Sequence, residues 1–428
     1  MMTYKETSWD SISGDSAAER LTALQELVNK HKRGELPRAQ PSGYVNNHIH
    51  TIYSFSPYSP GGAAYKAWSQ GLTTAGIMDH DTVAGAEEFA EAGRLLGIAT
   101  TTGFECRCSM RETPFADKKI NNPDQAGIAY MACHGVPRQN LAIAESWLSP
   151  YREKRIIRSR AMTERINDLT KNTALFLDFD RDILPLTMSA QSGTVTERHL
   201  LYALALKIQS VCGSVEKIRS FVKDNYSLEM TEKDEDRLLS AGPGSRTYIL
   251  LGVLKGRFVE KFYIDATDEC PDATEFVRFV ESIGAIAAYA YLGDVKESVT
   301  GDKRPQEFED AYLDEFVGWL AGAGFHSITY MPTRNTGAQL KRIIDLCENH
   351  NLFQISGEDI NSPFQSFICE ALKKPEYRHL IESTWALIGH ERTAAENIDR
   401  GMFRPETISR WPDINERVRY FAGLGRGV

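Results

Sequence analysis

A β/α barrel interrupted by a helical insertion is the fold that the sequence predicts, and three observations predict it. Short apolar runs alternate with amphipathic helical stretches along the first third of the chain, the rhythm of a parallel sheet or barrel. Side chains able to bind a metal recur where those runs end. Between about Ala142 and Asp272 the rhythm gives way to charged helical segments, and afterwards it resumes.

Each element has its own signal. Ser16–Lys32 has the apolar spacing of an amphipathic helix, and Gly34, Pro37 and Pro41 break the chain after it. Tyr44–His50, Ala75–Asp79, Ile98–Glu105 and Gly127–His134 read as strands, with helices over Ala63–Gln70 and Val83–Leu96. The middle of the chain predicts helices at Arg152–Lys171, His199–Gln209 and Val215–Asn225. Strands return at Gly284–Tyr291, His326–Tyr330 and Leu352–Ser356. The resulting division is an N-terminal helical extension (1–43), a first barrel part (44–141), a helical insertion (142–280), a second barrel part (281–365) and a helical tail (366–428).

Composition narrows the function. Apolar residues make up 42% and charged residues 25% of the 428, which suits a globular chain with a large core. A net charge of -9 argues against stable duplex nucleic-acid binding, which needs a basic face. No apolar run approaches the ~18 residues of a membrane span, and the polar stretch Met1–Asp10 lacks the apolar core of a secretory signal. Seven scattered cysteines read as reduced core thiols, and the expectation is a cytoplasmic protein. Oligomeric state leaves no mark in the sequence.

The chemistry lies at the strand ends. His48 and His50 close the first strand, Asp79 and His80 the second, Glu105 the third and His134 the fourth, while Glu358 and Asp359 follow the last. One such carboxylate is ordinarily a helix cap. A series of them, in order, is what a barrel mouth requires, because the C-terminal ends of barrel strands converge on one face. In His48-Ile49-His50 both imidazoles fall on the same side of a strand. Imidazoles with carboxylates suit zinc, manganese or iron. Asp79 and Asp81 flank His80 and are placed to orient it, and Glu105 is placed to bridge two cations.

The same residues carry a resemblance. Asn46-Asn47-His48-Ile49-His50-Thr51-Ile52-Tyr53-Ser54 resembles the opening motif of the PHP (polymerase and histidinol phosphatase) family, D-x-H-x-H-T-x-x-S. Gly71-Leu72 and Ile77-Met78-Asp79-His80-Asp81-Thr82-Val83-Ala84-Gly85 resemble its second motif, Gly103-Phe104-Glu105 its third and Cys133-His134 its fourth. Gly357-Glu358-Asp359-Ile360-Asn361 stands where the family has G-S-D-x-H. The resemblance spans Tyr44 to His134 and Gly284 to Pro363. It implies a distorted (β/α)7-type barrel and metal-dependent hydrolysis of a phosphate ester. It implies His48, His50, His80, Glu105, His134, Asp359 and Asn361 as ligands of one or two divalent transition metals. Two departures stand out: Tyr291 and Asn361 occupy positions where the family has metal histidines. An alternative therefore stays open, a PHP scaffold holding one metal and a small anionic ligand.

The insertion adds candidates. Thr196-Glu197-Arg198-His199 opens a helix and resembles the R-x-H segment by which inserted PHP enzymes reach phosphate. Arg198 and His199 are thus candidate phosphate contacts and, with Asp79, the candidate catalytic residues, His199 to protonate the leaving oxygen, Arg198 to counter charge and Asp79 to orient the metal shell; the other reading of 196–199 is a solvated helix start. Tyr291 and Arg334 are further candidate substrate contacts. Leu175–Asp182 resembles the nucleophile strand of haloacid-dehalogenase phosphatases but fits a loop of helix caps better, and Gly242-Pro243-Gly244-Ser245 reads as a turn. The expected substrate is a nucleotide, a short oligonucleotide or a phosphorylated metabolite, and the acidic chain favours a small one.

Overall fold

Among the described residues, seven strands form one sheet in sequence order: β1 (Val45–Ile49), β2 (Thr74–His80), β3 (Ala99–Ser109), β4 (Ile128–His134), β5 (Ile286–Ala290), β6 (Ser327–Tyr330) and β7 (Phe353–Ser356). The computed structural model describes residues 12, 14–37, 40–295 and 307–427, so Met1–Asp10 lies outside them. The segment after β7 returns to β1 and nearly closes the sheet into a barrel. There His50 N–H donates to Ile360 O at 2.9 Å, and Ile360 N–H donates to His48 O at 3.1 Å. The fold is the expected distorted seven-stranded barrel with an added helical part.

One feature corrects the expectation. β4 runs antiparallel to both β3 and β5, whereas the other pairings are parallel. No helix separates β3 from β4; residues 110–127 link them as a loop, so β4 returns directly along β3. The C-terminal end of β4 therefore points away from the mouth that the parallel strands share.

Side-chain alternation separates inside from outside. Met78, Ala132 and Ala288 touch one another in a small cluster of their own. Phe104, Cys106, Met131, Cys133, Tyr289 and Ile328, one residue out of phase, pack instead with the covering helices. On one side these are α1 (Ala17–Lys32), α2 (Pro60–Ser69) and α3 (Ala86–Leu96), and α1 starts on a full capping box between Ser16 and Glu19.

The insertion is entirely helical. It comprises α4 (Leu141–Thr170), α5 (Glu197–Cys212), α6 (Val215–Tyr226), α7 (Glu232–Ser240), α8 (Pro243–Arg257) and α9 (Val259–Phe262). The helix predicted from Arg152 begins eleven residues earlier and carries Pro150 inside it. The first turns of α4 put Ala144 and Leu148 into the barrel core, whereas Met162 and Ile166 belong to a separate core with Leu200, Leu204, Leu250 and Phe258. α10 (Ala273–Ser282), inside the 142–280 division, packs Phe276, Val277 and Val280 on the barrel. The chain continues through α11 (Leu313–Gly322), α12 (Gly337–Asn349), α13 (His379–Glu396), α14 (Pro405–Arg410) and α15 (Ile414–Arg426), with α13 and α15 covering β7.

A buried ion network joins insertion to barrel. Arg107 of β3 bonds Glu197 of α5 at 2.9 Å and Glu269 at 3.3 Å. Arg158 of α4 bonds Glu197 at 2.7 Å and Glu269 at 2.6 Å, and Arg155 pairs with Asp81 just beyond β2. Such charges persist out of water only when each finds a well-placed partner, which fixes how the two parts meet.

Candidate metal centre at the barrel mouth

The parallel strands deliver their inward side chains to one carboxylate. Glu105, on β3 opposite His80 of β2, lies 3.0 Å from His80 Nδ1 and 3.5 Å from both His48 Nε2 and His50 Nε2. Asp359, beyond β7, comes within 3.1 Å of His50 Nε2. Two groups of ligand-competent atoms result, His48/His50/Asp359 and His50/His80/Glu105, and they share His50.

The residues fit a cation. Among the described residues, His50 Nε2 and His80 Nδ1 are buried with no hydrogen-bond partner, yet both face carboxylate oxygens. Ser54 Oγ donates to Asp79 Oδ1 at 2.5 Å, which leaves its lone pair to accept from His50 Nδ1–H at 3.2 Å. That tautomer turns the bare Nε2 of His50 towards Glu105 and Asp359. Lone pair against carboxylate is repulsive unless positive charge lies between them.

The electrostatics agree. Burial alone would raise the Glu105 carboxyl, but His80, His48 and His50 hold it down at about 2. Asp359 is likewise held well below its ordinary value against burial, by His50 and His48 and then by Arg198. Burial, and then His50 and Arg155 nearby, drive His80 well below its usual value against the opposing pull of Glu105.

The remaining candidates fall into place differently. Asp79 does not face the mouth: it is buried behind β1, where it accepts from Thr51 N–H and Thr51 Oγ1 at 2.6 Å as well as from Ser54. It orients the loop that carries His50. Asn361 does not pair with His80 in a further site; its side-chain amide donates to Asp359 Oδ1 at 2.6 Å and so aims that carboxylate. His134 sits opposite Gly103, two residues before Glu105, because β4 is antiparallel. It is buried, its Nε2 has no partner, and burial with the nearby His48 lowers it to about 3, but it joins neither ligand group. Tyr291 is turned outwards, with its hydroxyl donating to Asp310 at 2.7 Å and its ring in the outer core. Alternation along β5 decides this, since Ala288 and Ala290 take the inward positions. Arg334 donates from Nε to Leu292 O at 3.0 Å and braces the loop after β5.

Arg198 is near enough to Asp359 to lower it. His199 is not a charged phosphate contact. Its Nδ1 accepts from Thr196 N–H at 3.0 Å, closing a capping box, and burial lowers it to about 3, so it is a neutral imidazole. Among the groups set aside, Asp178 caps the 179–183 turn, Asp182 pairs with Lys207, and His326 stacks on Phe403 at the far end of β6. Sequence reasoning missed Ser54 as a supporting residue, although it stands in the same motif as His50. It also missed Arg155 with Asp81; a non-glycine residue with φ of 53° gives no sequence signal.

No protein-family model matches the chain, and no curated protein matches it. Among solved structures it is similar to a candidate metal-dependent phosphoesterase from Bifidobacterium adolescentis, at 18% identity and a TM-score of 0.50, over 81% of this chain and 98% of that one. It is also similar to an amidohydrolase from Chromobacterium violaceum with bound sulfate and no metal, at 16% identity and a TM-score of 0.49, over 79% and 96% of the two chains. A two-domain protein from Bacteroides vulgatus containing a predicted PHP-like metal-dependent phosphoesterase follows at 13% identity and a TM-score of 0.27, over 78% of this chain and 57% of that one. The first of these likenesses shows a shared fold.

Proposed function

We propose that this chain, a PHP-type barrel in fold, is a metal-dependent phosphoesterase acting on a small phosphorylated substrate at the barrel mouth. The observation that carries the reading is the convergence of His48, His50 and His80 on Glu105, with two buried imidazole nitrogens left bare. His48, His50 and Asp359 would hold one divalent cation, and His50 or His80 with Glu105 a second. Their mixed nitrogen and oxygen set suits zinc, manganese or iron. Bound there, such ions supply positive charge to phosphoryl oxygens and lower the pKa of water towards ~7.

The chain's own residues do the rest. Ser54 and Asp79 hold the His50 ring, and Asn361 holds the Asp359 carboxylate. Arg198, whose charge helps hold Asp359 low, offers charge for a substrate phosphate, and the ion network around Glu197 keeps the start of α5 in place. The phosphate ester as substrate rests on the motif resemblance and is supported by the fold shared with the Bifidobacterium protein.

Elemental analysis of wild type and Glu105→Gln, run beside a screen of phosphate monoesters and diesters, tests the reading. One or two transition metals per chain, lost in the variant together with phosphate release, is the expected result. Metal bound with no turnover of any ester would overturn it in favour of a ligand-binding scaffold.

A further inference from the structure

Between the barrel mouth and the insertion lies a cleft of ≈ 540 Å³, within the ~300–1,000 Å³ range of small-molecule sites. Ile52, Phe55 and Pro57 of the loop after β1 form one wall, and Tyr202 of α5, Tyr248 of α8 and Pro363 form the others. Three of its lining residues lie one or two positions along the chain from residues that hold or neighbour the metal centre. Phe55 follows Ser54, which holds His50; Pro363 lies two residues beyond Asn361; His199, which also lines the cleft, follows Arg198.

The walls have a definite chemistry. None of the lining residues is Asp, Glu, Lys or Arg, so a charged organic group would enter without a counter-charge. Phe55, Tyr202 and Tyr248 lean on one another, with ring centroids 5.9, 6.0 and 5.2 Å apart. Rings in mutual contact leave no cage for a cation between them, and offer the cleft an aromatic wall against which a flat group can stack. Phe55 also meets the edge of His199 at 4.9 Å. Because His199 Nδ1 accepts from Thr196 N–H, the ring's one proton is on Nε2, a neutral donor at the cleft.

We infer that this cleft receives the organic half of the phosphate ester and selects an uncharged flat ring carrying a hydrogen-bond acceptor. The inference rests on the phosphoesterase reading for where the phosphate goes, but the cleft's own preference can be measured without it. His199 acts here as a specificity residue for the ring.

The test uses 3-pyridylmethyl phosphate, benzyl phosphate and glycerol 1-phosphate with the metal-loaded protein, and the free alcohol 3-hydroxymethylpyridine in a binding titration. Wild type is expected to favour the pyridyl ester over glycerol 1-phosphate at least tenfold in kcat/KM, with benzyl phosphate between them. Tyr248→Ala is expected to shrink that preference about five- to a hundredfold, mainly through KM, on the scale of one lost stacking contact. His199→Phe keeps a ring but no donor, and should erase the difference between the pyridyl and benzyl esters. The free alcohol should bind wild type and bind Tyr248→Ala at least fivefold more weakly. Equal turnover of ring and glycerol esters, unaltered in Tyr248→Ala, would overturn the cleft assignment and leave the phosphoesterase intact. No turnover of any ester, but alcohol binding that Tyr248→Ala weakens, would sink the phosphoesterase reading and keep the cleft's preference. Absence of alcohol binding to wild type would overturn the cleft assignment whatever the enzyme hydrolyses.

Discussion

Replacing Ser54 by Ala removes one oxygen from a fully buried position and should loosen the metal without touching any ligand. Ser54 is 0% exposed and sits between Asp79 at 2.5 Å and His50 Nδ1 at 3.2 Å. Asp79 keeps its bonds to Thr51 in the variant, so it remains satisfied. The loss falls on His50, whose Nδ1–H is left buried without an acceptor. An orphaned buried donor costs ~1–3 kcal/mol. Loss of an outer partner of a metal-binding imidazole weakens affinity by ~10–100-fold, or about 1.4–2.8 kcal/mol. The first cost is present with and without metal and lowers the stability of the fold, and the second is the loss of metal affinity. The assay is chelator competition for zinc or manganese with wild type and Ser54→Ala, with thermal melts of the metal-free proteins as control. A 10–100-fold weaker affinity is expected. Unaltered affinity, or a loss of metal-free stability with affinity intact, would refute the claim that Asp79 and Ser54 orient His50.

Two other perturbations follow from the fold around the site. Gly357→Ala would place a Cβ 2.6 Å from His48 Cβ and 2.7 Å from His48 N, so a loss of ~1–3 kcal/mol in denaturant unfolding is expected together with reduced metal content. Glu391 of α13 accepts from Thr102 N–H of β3 at 2.8 Å, and burial raises it from 4.5 to about 8. Its protonation therefore stabilises the fold fully below about pH 4.5, and that contribution is lost as pH rises through about 8. At 1.36 kcal/mol per pH unit the full span is near ~5 kcal/mol, and the partial exposure of the side chain reduces the expected loss to ~1–3 kcal/mol. Glu391→Gln should flatten the decline in melting temperature between pH 5 and pH 9, and an equally steep decline in the variant would refute the assignment.

All seven predicted strands form, within a few residues of their expected ends, because each is a short apolar run bounded by turn residues. The predicted helices form too, and α4 starts early because Pro150 concealed its first turns from a sequence reading. The site was partly legible for a local reason: His48 and His50 share a face by the two-residue period of any strand, and Glu105 lies opposite His80, the last residue of β2, on the neighbouring parallel strand β3. Direction and partner were not legible. β4 turns back, so His134 stands opposite Gly103, two residues before Glu105, and not at the end of a parallel strand. Tyr291 was assigned to the site, one residue out of phase with the inward positions of β5. His199 was read as a phosphate contact able to protonate the leaving oxygen, but its capping bond and burial make it a neutral imidazole.

By itself, the sequence determined the elements, the strand order implied by a β/α rhythm, and the inventory of imidazoles and carboxylates gathered at strand ends. Those properties depend on residues two to four positions apart, and side-chain periodicity transmits them directly. Tertiary structure alone decided that β4 turns back, that Asp79 and Asn361 support ligands, and that three aromatic rings meet beside the mouth. Each of these depends on a contact between residues far apart in the chain or on the direction of a strand. Hydrophobic periodicity is the same whichever way a strand runs, and no spacing within the chain encodes which distant partner a buried polar group will find.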